Sequence, residues 1–509
     1  MRDDLVRQLW TLLGGAAGEC DRLTVTGPTA TLSSRFPVTD AGAAAVGAAL
    51  LAATADPDGG VGRPVGLDTR QLAVALTSER HLLHDGVSPG NPFDPLSTFH
   101  RTADGWLRLH ANYPWHRAAA RRVLDLPDDA GPGDVAAAAR HWRSEELETA
   151  VHEGGGVAAA VRTEKEWQAT PAGAAAAGLP LVGRHDLADA PPRPRRARTR
   201  VLDLTRVIAG PVATRTLAAH GAEVLRIDPP DRPELRTQTW EALPGKHSAV
   251  LDLATNPERL EALLAGADVV VSGYRPHALD RFGLAPEALA ARFPGLVVVT
   301  LSAWGDEGPW AGRRGFDSLV QAACGIGETE RRDPDPATPP GVLPAQVLDH
   351  ATGYLGAAAA LLALARQRRV GGTPHVRLAL AATATWLQSL PVPTTRTAAP
   401  NPSTPGRGSS RSRRPTACSP SHRRPGPSTA RGCTGPRPPR PTAPRPRRGR
   451  RTRTRRSLSD VPVSVLTTVL AQSGDPTGLS SGLGRIVVLL ALLASLILLL
   501  RWYNQQRKR

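Results

Sequence analysis

Lysine is almost absent from this chain of 509 residues, which has only Lys165, Lys246 and Lys508. Arginine carries nearly all of the positive charge, and alanine, glycine and proline are abundant, which is typical of a GC-rich genome and indicates no function. The four cysteines are scattered and form no Cys-x-x-Cys pair. Their spacing argues against a disulfide framework and against a zinc site. No metal site is predicted.

The net charge of +17 is concentrated in the C-terminal part of the chain. Residues 391–509 hold 23 of the 63 Lys and Arg residues and two of the 46 acidic residues, so residues 1–390, with 40 basic and 44 acidic side chains, are nearly neutral. A strongly basic protein suggests nucleic acid or an anionic membrane as a partner, but here that inference concerns the tail alone. The N-terminus carries acids and no long apolar run, which is not the pattern of a signal peptide. We expect the body of the protein in the cytoplasm.

Composition divides the chain into five segments. Residues 1–185 are predicted to form a smaller mixed α/β domain, 186–200 a Pro- and Arg-rich linker, and 201–390 a larger α/β domain. Residues 391–459 have few large apolar residues and are predicted to be disordered. A shifted reading frame would produce the same abrupt change, and that explanation stays open.

The last segment, 460–509, contains the apolar run Ile486–Leu500, followed by Trp502 and Tyr503. Fifteen residues are fewer than the ~20 that usually span a bilayer. Arginines at both ends can snorkel and the aromatic residues suit a membrane interface. We therefore predict a C-terminal membrane helix over 486–503 if the tail is genuine.

In residues 201–390 apolar strands alternate with helices, which predicts a doubly wound, Rossmann-like parallel sheet. Ligands of such sheets bind at the carboxyl ends of the strands. The first segment has helix signals over Ala41–Ala53, with Asp40 as the N-cap, and over Val135–Val151. Gly62–Leu76 faintly resembles Gly372–Leu387, each with a short strand and an Ala-rich helix. The chain is therefore predicted to hold two partial copies of one fold.

Asp349 lies in the run Pro-Ala-Gln-Val-Leu-Asp-His-Ala-Thr-Gly-Tyr, residues 344–354, before a long Ala/Leu-rich helix. A carboxylate in a dry pocket can act as a nucleophile toward an acyl carbon. The alternative is that Asp349 is only the N-cap of a helix over 350–367. Both can hold, because a helix N-terminus also favours anions.

Three further motifs accompany this run: VLDLTRVIAGPVATRTLAAHGAEVLRID (201–228), ADVVVSGYRPHALDRFGL (267–284) and LSAWGDEGPWAGRRGFDSLVQAACG (301–325). Together they resemble family III CoA transferases, the CaiB/BaiF family, over 201–390. The resemblance implies transfer of CoA from an acyl-CoA to a carboxylic acid through a covalent intermediate on Asp349. It implies CoA and acyl-CoA as substrates, no permanently bound cofactor, and a homodimer.

The same resemblance implies which residues bind CoA. Val207, Ile208 and Ala209 are expected along the CoA molecule, Tyr274 beside the adenine, and Arg281 near the phosphates. The alternative for Arg281 is a surface ion pair with its neighbour, Asp280. Gly273 and Trp304 depart from the polar or charged CoA contacts of some family members.

Acyl-CoA racemases of the same superfamily are the first alternative. They use a His in a Gly-His-Asp motif, whereas this chain has Gly315-Phe316-Asp317, and phenylalanine cannot act as a general base. His350 follows Asp349 directly and does not share its helix face, so it is interpreted as a structural or pocket residue.

The segments 104–124 and 142–167 resemble the small domain of the family, which in typical members follows the nucleophile rather than preceding it. That order predicts a permuted or fused arrangement. A degenerate, non-catalytic fusion tethered to the membrane by its basic tail is therefore the second alternative. Acylation of Asp349 distinguishes the CoA transferase from this non-catalytic fusion.

Weaker motifs have plainer explanations. His81 and His84 have a spacing that metal sites use, but capping or solvent-facing roles are the simpler explanation. The GxSxG letters at 478–482 lack the strand–turn–helix context of a nucleophile elbow. The arginine-rich tail lacks interleaved aromatics, so nucleic-acid binding is not expected.

Overall fold

The computed structural model describes residues 2–55 and 62–391. These residues belong to one unit, Met1–Gly408, and a second unit, Ser409–Arg509, lies outside the described residues. The predicted disordered segment, apart from Pro391, and the predicted membrane helix also lie outside them.

The N-terminal part contains short elements around two long helices and two small sheets. In chain order they are α1 (Arg2–Leu12), β1 (Leu23–Thr26), α2 (Val38–Ala53), β2 (Val65–Asp68), α3 (Thr69–Leu76), β3 (Phe99–Arg101), β4 (Trp106–Leu109), α4 (Pro114–Val123), α5 (Pro132–Ala139), α6 (Ser144–Glu153), β5 (Ala158–Ala160), α7 (Glu164–Ala169), α8 (Pro171–Ala177) and β6 (Gly183–Asp186).

The C-terminal part alternates strands with helices. In chain order it comprises β7 (Arg200–Leu204), α9 (Ala209–Ala219), β8 (Glu223–Asp228), α10 (Arg236–Ala242), β9 (His247–Val250), α11 (Pro257–Gly266), β10 (Val269–Ser272), α12 (Pro286–Arg292), β11 (Val297–Ser302), α13 (Asp317–Ala323), α14 (Ile326–Thr329), α15 (Val347–Val370), β12 (Pro374–Ala379) and α16 (Leu380–Ser389).

A seven-stranded sheet organises the described residues, in the order β6-β12-β11-β10-β7-β8-β9. Every neighbouring pair is parallel except β12 and β6, which are antiparallel. The register pairs Val269 with Val201 on one side and with Val297 on the other. The doubly wound parallel sheet predicted from the sequence is confirmed. Its antiparallel edge strand comes from residues 183–186, at the end of the segment that was predicted to be a separate domain.

Helices cover both faces of this sheet. Because strand side chains alternate between faces, odd-numbered residues such as Val269 and Val271 pack under α1, α2, α9 and α15. Even-numbered residues such as Val270 and Val298 pack under α11 and α12. The result is a three-layer α/β fold in which the N-terminal segment contributes helices to the main core.

The long helix α15 is the one described helix that is long and apolar enough to cross a membrane. It is a core helix, because 83% of its most apolar window is buried inside the protein. Its alanines lie against the alanines of α2 and the start of α9, and small side chains let the helix axes approach closely. This packing fixes the first turn of α15 at the carboxyl edge of the sheet.

Two details of the first segment were predicted wrongly. The helix predicted over Val135–Val151 is two helices, α5 and α6, because the Asp104 carboxylate accepts hydrogen bonds from the backbone N–H and hydroxyl of Ser144 and so starts a new helix there. Asp40 is not the N-cap of α2, which begins at Val38 after Pro37. Proline pre-sets the backbone angle φ, so the helix starts earlier than the Asp signal suggests.

The faint internal repeat corresponds to a structural one. Both stretches contain a strand followed by a helix: β2 with α3, and β12 with α16. The likeness extends upstream, since Asp40 is the third residue of α2 and Asp349 the third residue of α15. Each aspartate is followed at equal spacing by a helix glycine, Gly47 or Gly356, and by the strand. The N-terminal part thus repeats the order of elements at the end of the C-terminal part.

Candidate active site

Asp349 lies in the first turn of α15, where it is 6% exposed. The N-cap of this helix is Gln346, so the alternative that Asp349 is only the N-cap is wrong. Neither carboxylate oxygen of Asp349 forms a hydrogen bond with the residues that the structure describes. The side chain is therefore held by the helix and leaves both oxygens unengaged.

Asp317 performs the capping that the sequence pattern suggested for Asp349. It is fully buried at the start of α13, and its Oδ2 accepts the backbone N–H of Asp349 at 2.9 Å. Its carboxylate also contacts the N–H of Leu348, and its Oδ1 accepts the amide of Gln321 at 2.5 Å. Asp317 satisfies first-turn donors of α15, which frees the Asp349 carboxylate. No sequence pattern marks this role, because the two aspartates are 32 residues apart and only the fold brings them together.

The two carboxyl groups influence each other's ionisation. Burial, and then the neighbouring Asp317 charge, raises the pKa of Asp349 well above its usual range. Burial raises the pKa of Asp317 to about 6. Protonated Asp317 therefore contributes to the free energy of unfolding at acid pH. This contribution is lost as the pH rises through about 6. Like charges in one buried site resist joint ionisation, so the reactive form of Asp349 depends on pH.

We expect Asp317→Asn to lower the pKa of Asp349 by about one unit. Asparagine keeps an oxygen that can accept the Asp349 N–H but removes the charge that raises the pKa of Asp349. Titration of the Asp349 carboxyl group by NMR between pH 4 and 9 measures the shift. Asp129→Asn, at an exposed site, is the control, and an unchanged pKa of Asp349 in Asp317→Asn would contradict the coupling.

The loop between β7 and α9 passes beside the first turn of α15. A Cβ atom at Gly353, one turn after Asp349, would lie only 2.5 Å from the carbonyl oxygen of Ala209 and 2.8 Å from Cβ of Val212. Glycine at this position lets the two helices meet. The structure thereby brings Asp349 together with the predicted CoA loop of Val207, Ile208 and Ala209.

Val207 holds this loop in an unusual conformation. Its φ is 67°, a left-handed value that a β-branched residue rarely adopts. Its N–H donates to Oε2 of Glu234 at 3.0 Å, and Oε1 of Glu234 accepts the hydroxyl of Tyr113 and the N–H of Leu235. Although burial opposes ionisation, Arg206 and these hydrogen bonds hold the pKa of Glu234 below its usual range. A buried charge therefore anchors the loop.

A second buried ion pair lies under the same loop. Lys246 and Asp203 have side chains with 0% exposure, and Nζ of Lys246 donates to Oδ2 of Asp203 at 3.0 Å. The other two Nζ donors reach the carbonyl oxygen of Pro211 at 3.1 Å and the hydroxyl of Thr214 at 2.6 Å. All three ammonium donors are used, which ties β7, the start of α9 and the segment before β9 together.

Cationic side chains gather at the carboxyl edge of the sheet. The Arg206 guanidinium lies 5.0 Å from the ring centroid of Tyr113, and that of Arg232 lies 5.4 Å from the ring centroid of Trp115. Burial lowers the pKa of Arg314, and the nearby charges of Arg275 and Arg232 lower it further. No ion pair with a described carboxylate engages Arg275 or Arg314. We call Arg232, Arg275 and Arg314 the arginine cluster.

Tyr274 lines a cleft with about 1340 Å³ of empty space at the carboxyl ends of β10 and β11. Burial raises the pKa of its hydroxyl. Arg281 is exposed, and its guanidinium stacks on the neighbouring Phe282 ring at 4.7 Å. Asp280 pairs with His277 at 2.7 Å, so the predicted Asp280–Arg281 ion pair is wrong. The predicted CoA roles of Tyr274 and Arg281 stay predictions.

Of the two departures, Gly273 and Trp304, only the second has a structural cause. A Cβ atom at Gly273 would lie 3.4 Å from Cβ of Thr205, an ordinary van der Waals contact, so packing does not require glycine there. Trp304 is 4% exposed and packs against the rings of Trp167 and Trp310. This tryptophan belongs to the core.

Part of the N-terminal segment covers the carboxyl edge. The ring of His110, just after β4, stacks on Phe316 with centroids 3.6 Å apart and planes 5° apart. His110 is buried, which lowers its pKa well below the usual range, and its Nδ1 has no hydrogen-bond partner. No sequence motif marks His110. The structure places a neutral imidazole directly before the Asp317 helix.

The two histidines considered as metal ligands have other contacts. His84 stacks on Trp240 with centroids 4.0 Å apart, and Nε2 of His81 lies 3.3 Å from the hydroxyl of Thr77. Within residues 2–55 and 62–391, no group of three or more His, Cys, Asp or Glu side chains is arranged to hold a metal ion.

Comparison with known proteins agrees with this geometry. The model of CoA-transferase family III matches residues 197–419. Residues 197–419 are therefore similar to that family. The match starts just before β7 and includes the loop over Val207–Ala209 and Asp349.

Curated relatives of this region carry names of CoA transferases. The chain is 34% identical over 205 residues to the probable fatty acyl-CoA transferase Rv3272 of Mycobacterium tuberculosis, covering 37% of this chain and 51% of that protein. It is 34% identical over 211 residues to the acetyl-coenzyme A transferase nodX of Hypoxylon pulicicidum, covering 40% and 35%. It is 33% identical over 196 residues to the succinyl-CoA–D-citramalate CoA-transferase of Chloroflexus aurantiacus, covering 36% and 48%.

The crystal structure of Rv3272 from M. tuberculosis, orthorhombic form, aligns with a TM-score of 0.35 and 35% identity over 38% of this chain and 56% of that one. The chain thus spans between about a third and a little over half of the length of these relatives.

Proposed function

We propose that the protein is a CoA transferase that moves CoA from an acyl-CoA to a carboxylic acid, with Asp349 as the nucleophile. The observation that carries the proposal is the unengaged, buried Asp349 carboxylate in the first turn of α15, beside the Val207–Ala209 loop. The match of residues 197–419 to the model of CoA-transferase family III supports the same class of reaction. Acyl-CoA and carboxylic acids are the substrates in this proposal, and no permanent cofactor is invoked.

The chemistry needs one carboxylate and a site from which water is excluded. An Asp349 oxygen attacks the thioester carbonyl, a C–O bond forms, the C–S bond breaks, and CoA leaves as the thiolate with a mixed anhydride on Asp349. The thiolate then attacks Cγ of Asp349, which forms an aspartyl-CoA thioester and releases the donor acid. The acceptor carboxylate attacks that thioester, and the same two steps in reverse deliver acyl-CoA and restore Asp349.

The position of Asp349 in the first turn of α15 favours these reaction steps electrostatically. Three or four N–H groups at a helix N-terminus point at incoming negative charge. In α15 the Asp349 N–H is already bonded to Asp317. The positive end of the helix dipole then acts on the Asp349 carboxylate and on the oxyanion that forms during attack. Burial keeps water from the anhydride, which would otherwise hydrolyse.

The arginine cluster is proposed to bind the CoA phosphates. Arg275 and Arg314 have no described carboxylate partner, and Arg232 stacks on Trp115, an aromatic ring that can support adenine. We expect Arg314→Gln to raise the KM for acyl-CoA about tenfold with little change in kcat, because phosphate binding is equally strong in ground and transition states. Steady-state kinetics at two salt concentrations provide the measurement.

Arg281→Gln is the matched comparison, since Arg281 is the phosphate ligand that the family resemblance implies. A larger effect on KM in Arg281→Gln than in Arg314→Gln would move the phosphate site away from the arginine cluster. Assays with dephospho-CoA esters distinguish contacts to the 3′-phosphate from contacts to the diphosphate. A variant that has lost the 3′-phosphate contact has the same KM for the CoA ester and for the dephospho-CoA ester.

The proposal is tested directly by trapping the intermediate. Purified protein is incubated with a pool of acyl-CoA esters, quenched with borohydride, digested and analysed by mass spectrometry. Reduction of Asp349 to the alcohol supports the aspartyl thioester, and the acyl-CoA that produces it names the donor class. An unmodified Asp349 across a broad pool would favour the non-catalytic fusion.

A racemase-type isomerase is a second candidate because of His110. The structure places this neutral histidine on Phe316, where the racemases have their catalytic histidine by resemblance. Solvent deuterium incorporation at the α-carbon of a 2-methylacyl-CoA discriminates the two candidates. Incorporation that is lost in His110→Phe would favour isomerisation, whereas CoA exchange without incorporation favours the transferase.

The homodimer and the cytoplasmic location of the body stay predictions. Cys20 and Cys324 are buried free thiols, which is consistent with a reducing compartment. Membrane contact through the C-terminal tail concerns residues outside the described part of the chain.

A further inference from the structure

Val207, in the loop between β7 and α9, has a backbone conformation that its side chain opposes. Among the described residues other than glycine, a positive φ occurs at Asp85, Asp125, Val207 and His277. Aspartate and histidine adopt left-handed angles more readily than most residues, whereas a β-branched residue in this region is an outlier. Such a conformation persists only where the surrounding contacts hold it. The contacts of Val207 therefore determine the shape of the loop.

One buried carboxylate supplies the contact that holds Val207. The side chain of Glu234 is 2% exposed, and its Oε2 accepts the backbone N–H of Val207 at 3.0 Å. The same oxygen accepts a guanidinium N–H of Arg226 at 3.2 Å. Oε1 accepts the N–H of Leu235 at 2.9 Å and the hydroxyl of Tyr113 at 2.5 Å. Glu234 thus links the loop to a residue 121 positions away, in the N-terminal part.

Tyr113 is well placed to hold this carboxylate. It is 3% exposed at the N-cap of α4, and its ring stacks on Trp115 with centroids 4.8 Å apart and planes 19° apart. The guanidinium of Arg206, the residue directly before Val207, lies 5.0 Å from the centroid of the Tyr113 ring. Tyr113 therefore acts on the loop twice, through its hydroxyl by way of Glu234 and through its ring by way of Arg206. A hydrogen bond from a hydroxyl to an ionised carboxylate is among the stronger ones in proteins.

The loop has two anchors. Oε2 of Glu234 holds it at Val207, and Nζ of Lys246 holds it at the carbonyl oxygen of Pro211. The Lys246 anchor lies within the C-terminal part, whereas the Glu234 anchor includes Tyr113 of the N-terminal part. The N-terminal part therefore acts on the loop at its strained residue.

The plainer explanation is that Glu234 only satisfies the hydroxyl of Tyr113. Buried polar groups in proteins are nearly always hydrogen-bonded, so this bond by itself does not establish a role for Tyr113. The strained residue favours a positioning role, because the carboxylate that Tyr113 contacts is the one that holds Val207. Without the hydroxyl, Glu234 has fewer contacts that fix its position, and Val207 can relax to an ordinary φ.

We propose that Tyr113 is a positioning residue for CoA binding: through Glu234 it holds Val207 in the left-handed conformation that shapes the Val207–Ala209 loop. The inference rests on the CoA binding of the proposed function and gives the N-terminal part a role in it. A protein whose binding-competent conformation is populated for only a fraction of the time binds its ligand more weakly by that fraction.

The test removes the hydroxyl with Tyr113→Phe, which keeps the ring and its stacking. We expect the Kd for free CoA, measured by isothermal titration calorimetry, to rise about tenfold, because a hydrogen bond to a charged group is lost and the loop is less often competent. Backbone amide exchange at Val207, followed by mass spectrometry, is expected to become faster by a similar factor.

Ser97→Ala is the matched control. It removes another buried hydroxyl of the N-terminal part, which donates to Oδ1 of Asn112 at 2.6 Å and accepts the N–H of Ala111 at 2.8 Å. These bonds do not involve Glu234 or the loop. Ser97→Ala is therefore expected to leave the Kd for CoA and the amide exchange at Val207 unchanged.

A double-mutant cycle with Val207→Gly shows whether the hydroxyl acts through the strained residue. Glycine adopts a φ of 67° without steric cost, so the loop no longer needs the carboxylate to hold it. In the Val207→Gly background, Tyr113→Phe is expected to change the Kd for CoA by less than about twofold. A hydroxyl that serves only packing or general stability would have the same effect in both backgrounds.

Three results would each overturn the inference and leave the transferase proposal intact: an unchanged Kd in Tyr113→Phe, an equal effect of Tyr113→Phe in the Val207→Gly background, and an equal rise in Kd in Ser97→Ala. Wild-type protein that does not bind CoA would remove both proposals. Wild-type protein that binds CoA but is not modified at Asp349 by any acyl-CoA would remove the proposed reaction alone, and a Kd that rises in Tyr113→Phe would still support the inference.

Discussion

Asp349→Ala is expected to abolish CoA exchange, lowering kcat/KM at least about 10⁴-fold, because in the proposed mechanism this residue supplies the atom that bonds to substrate. Asp349→Asn is expected to be equally inactive, since an amide oxygen is a far weaker nucleophile than a carboxylate. Exchange between an acyl-CoA and an isotopically labelled acid measures the loss. Residual exchange above about 1% of wild type would contradict the nucleophile assignment.

Folding is expected to survive this change. The Asp317 carboxylate, not that of Asp349, accepts the first-turn N–H groups of α15, so the substitution removes no bond to these groups. Removing a buried carboxyl whose pKa is raised by burial and by a like charge relieves an unfavourable interaction. We expect the free energy of unfolding of Asp349→Ala to stay within about 1 kcal/mol of wild type. Urea denaturation followed by circular dichroism measures it.

Asp40→Ala is the matched control because the fold places Asp40 at the equivalent position of α2. Its carboxylate accepts the Arg2 guanidinium at 2.7 Å, unlike the unengaged carboxylate of Asp349. The described N-terminal segment has no counterpart of the Val207–Ala209 loop before α2. Asp40→Ala is therefore expected to keep full CoA exchange, and borohydride trapping of wild type is expected to modify Asp349 and leave Asp40 intact.

Local patterns in the sequence predicted much of the fold. The alternation of apolar strands with helices over 201–390 predicted the parallel sheet that β7, β8, β10, β11 and β12 form. Such signals lie within a few residues of the element that they predict. Helix starts were predicted less accurately. Asp40 was predicted to be the N-cap of α2, but this helix begins at Val38, directly after Pro37.

Contacts between distant residues could not be predicted in this way. The role of Asp317 depends on a hydrogen bond to a residue 32 positions later, and the contact between His110 and Phe316 joins residues more than 200 positions apart. His350 and Glu79, which lie more than 200 positions apart, likewise line one small cavity. Neither periodicity nor a motif encodes such pairs, since they result from packing of whole elements. Asp349 could be singled out as a candidate nucleophile because a family motif surrounds it.

Lys246→Met is expected to be the most destabilising single substitution among those considered, by about 3–5 kcal/mol. Methionine fills most of the volume but leaves the fully buried Asp203 carboxylate without its cation. The same change removes the donors that reach Pro211 and Thr214, so the Val207–Ala209 loop loses its underlying support. Urea denaturation gives the loss of stability, and the KM for acyl-CoA at low temperature reports on the loop.

Lys165→Met is the control, because Lys165 is the other lysine of residues 1–390 and is exposed. It is expected to change the free energy of unfolding by less than about 0.5 kcal/mol. The double variant Asp203→Asn with Lys246→Met separates the two components of the effect. If the cost comes from an uncompensated charge, the double variant regains a large part of the stability, because no ion remains buried. If it comes from the hydrogen bonds to Pro211 and Thr214, the double variant stays as unstable as Lys246→Met, and the ion pair serves mainly to shape the loop that faces Asp349.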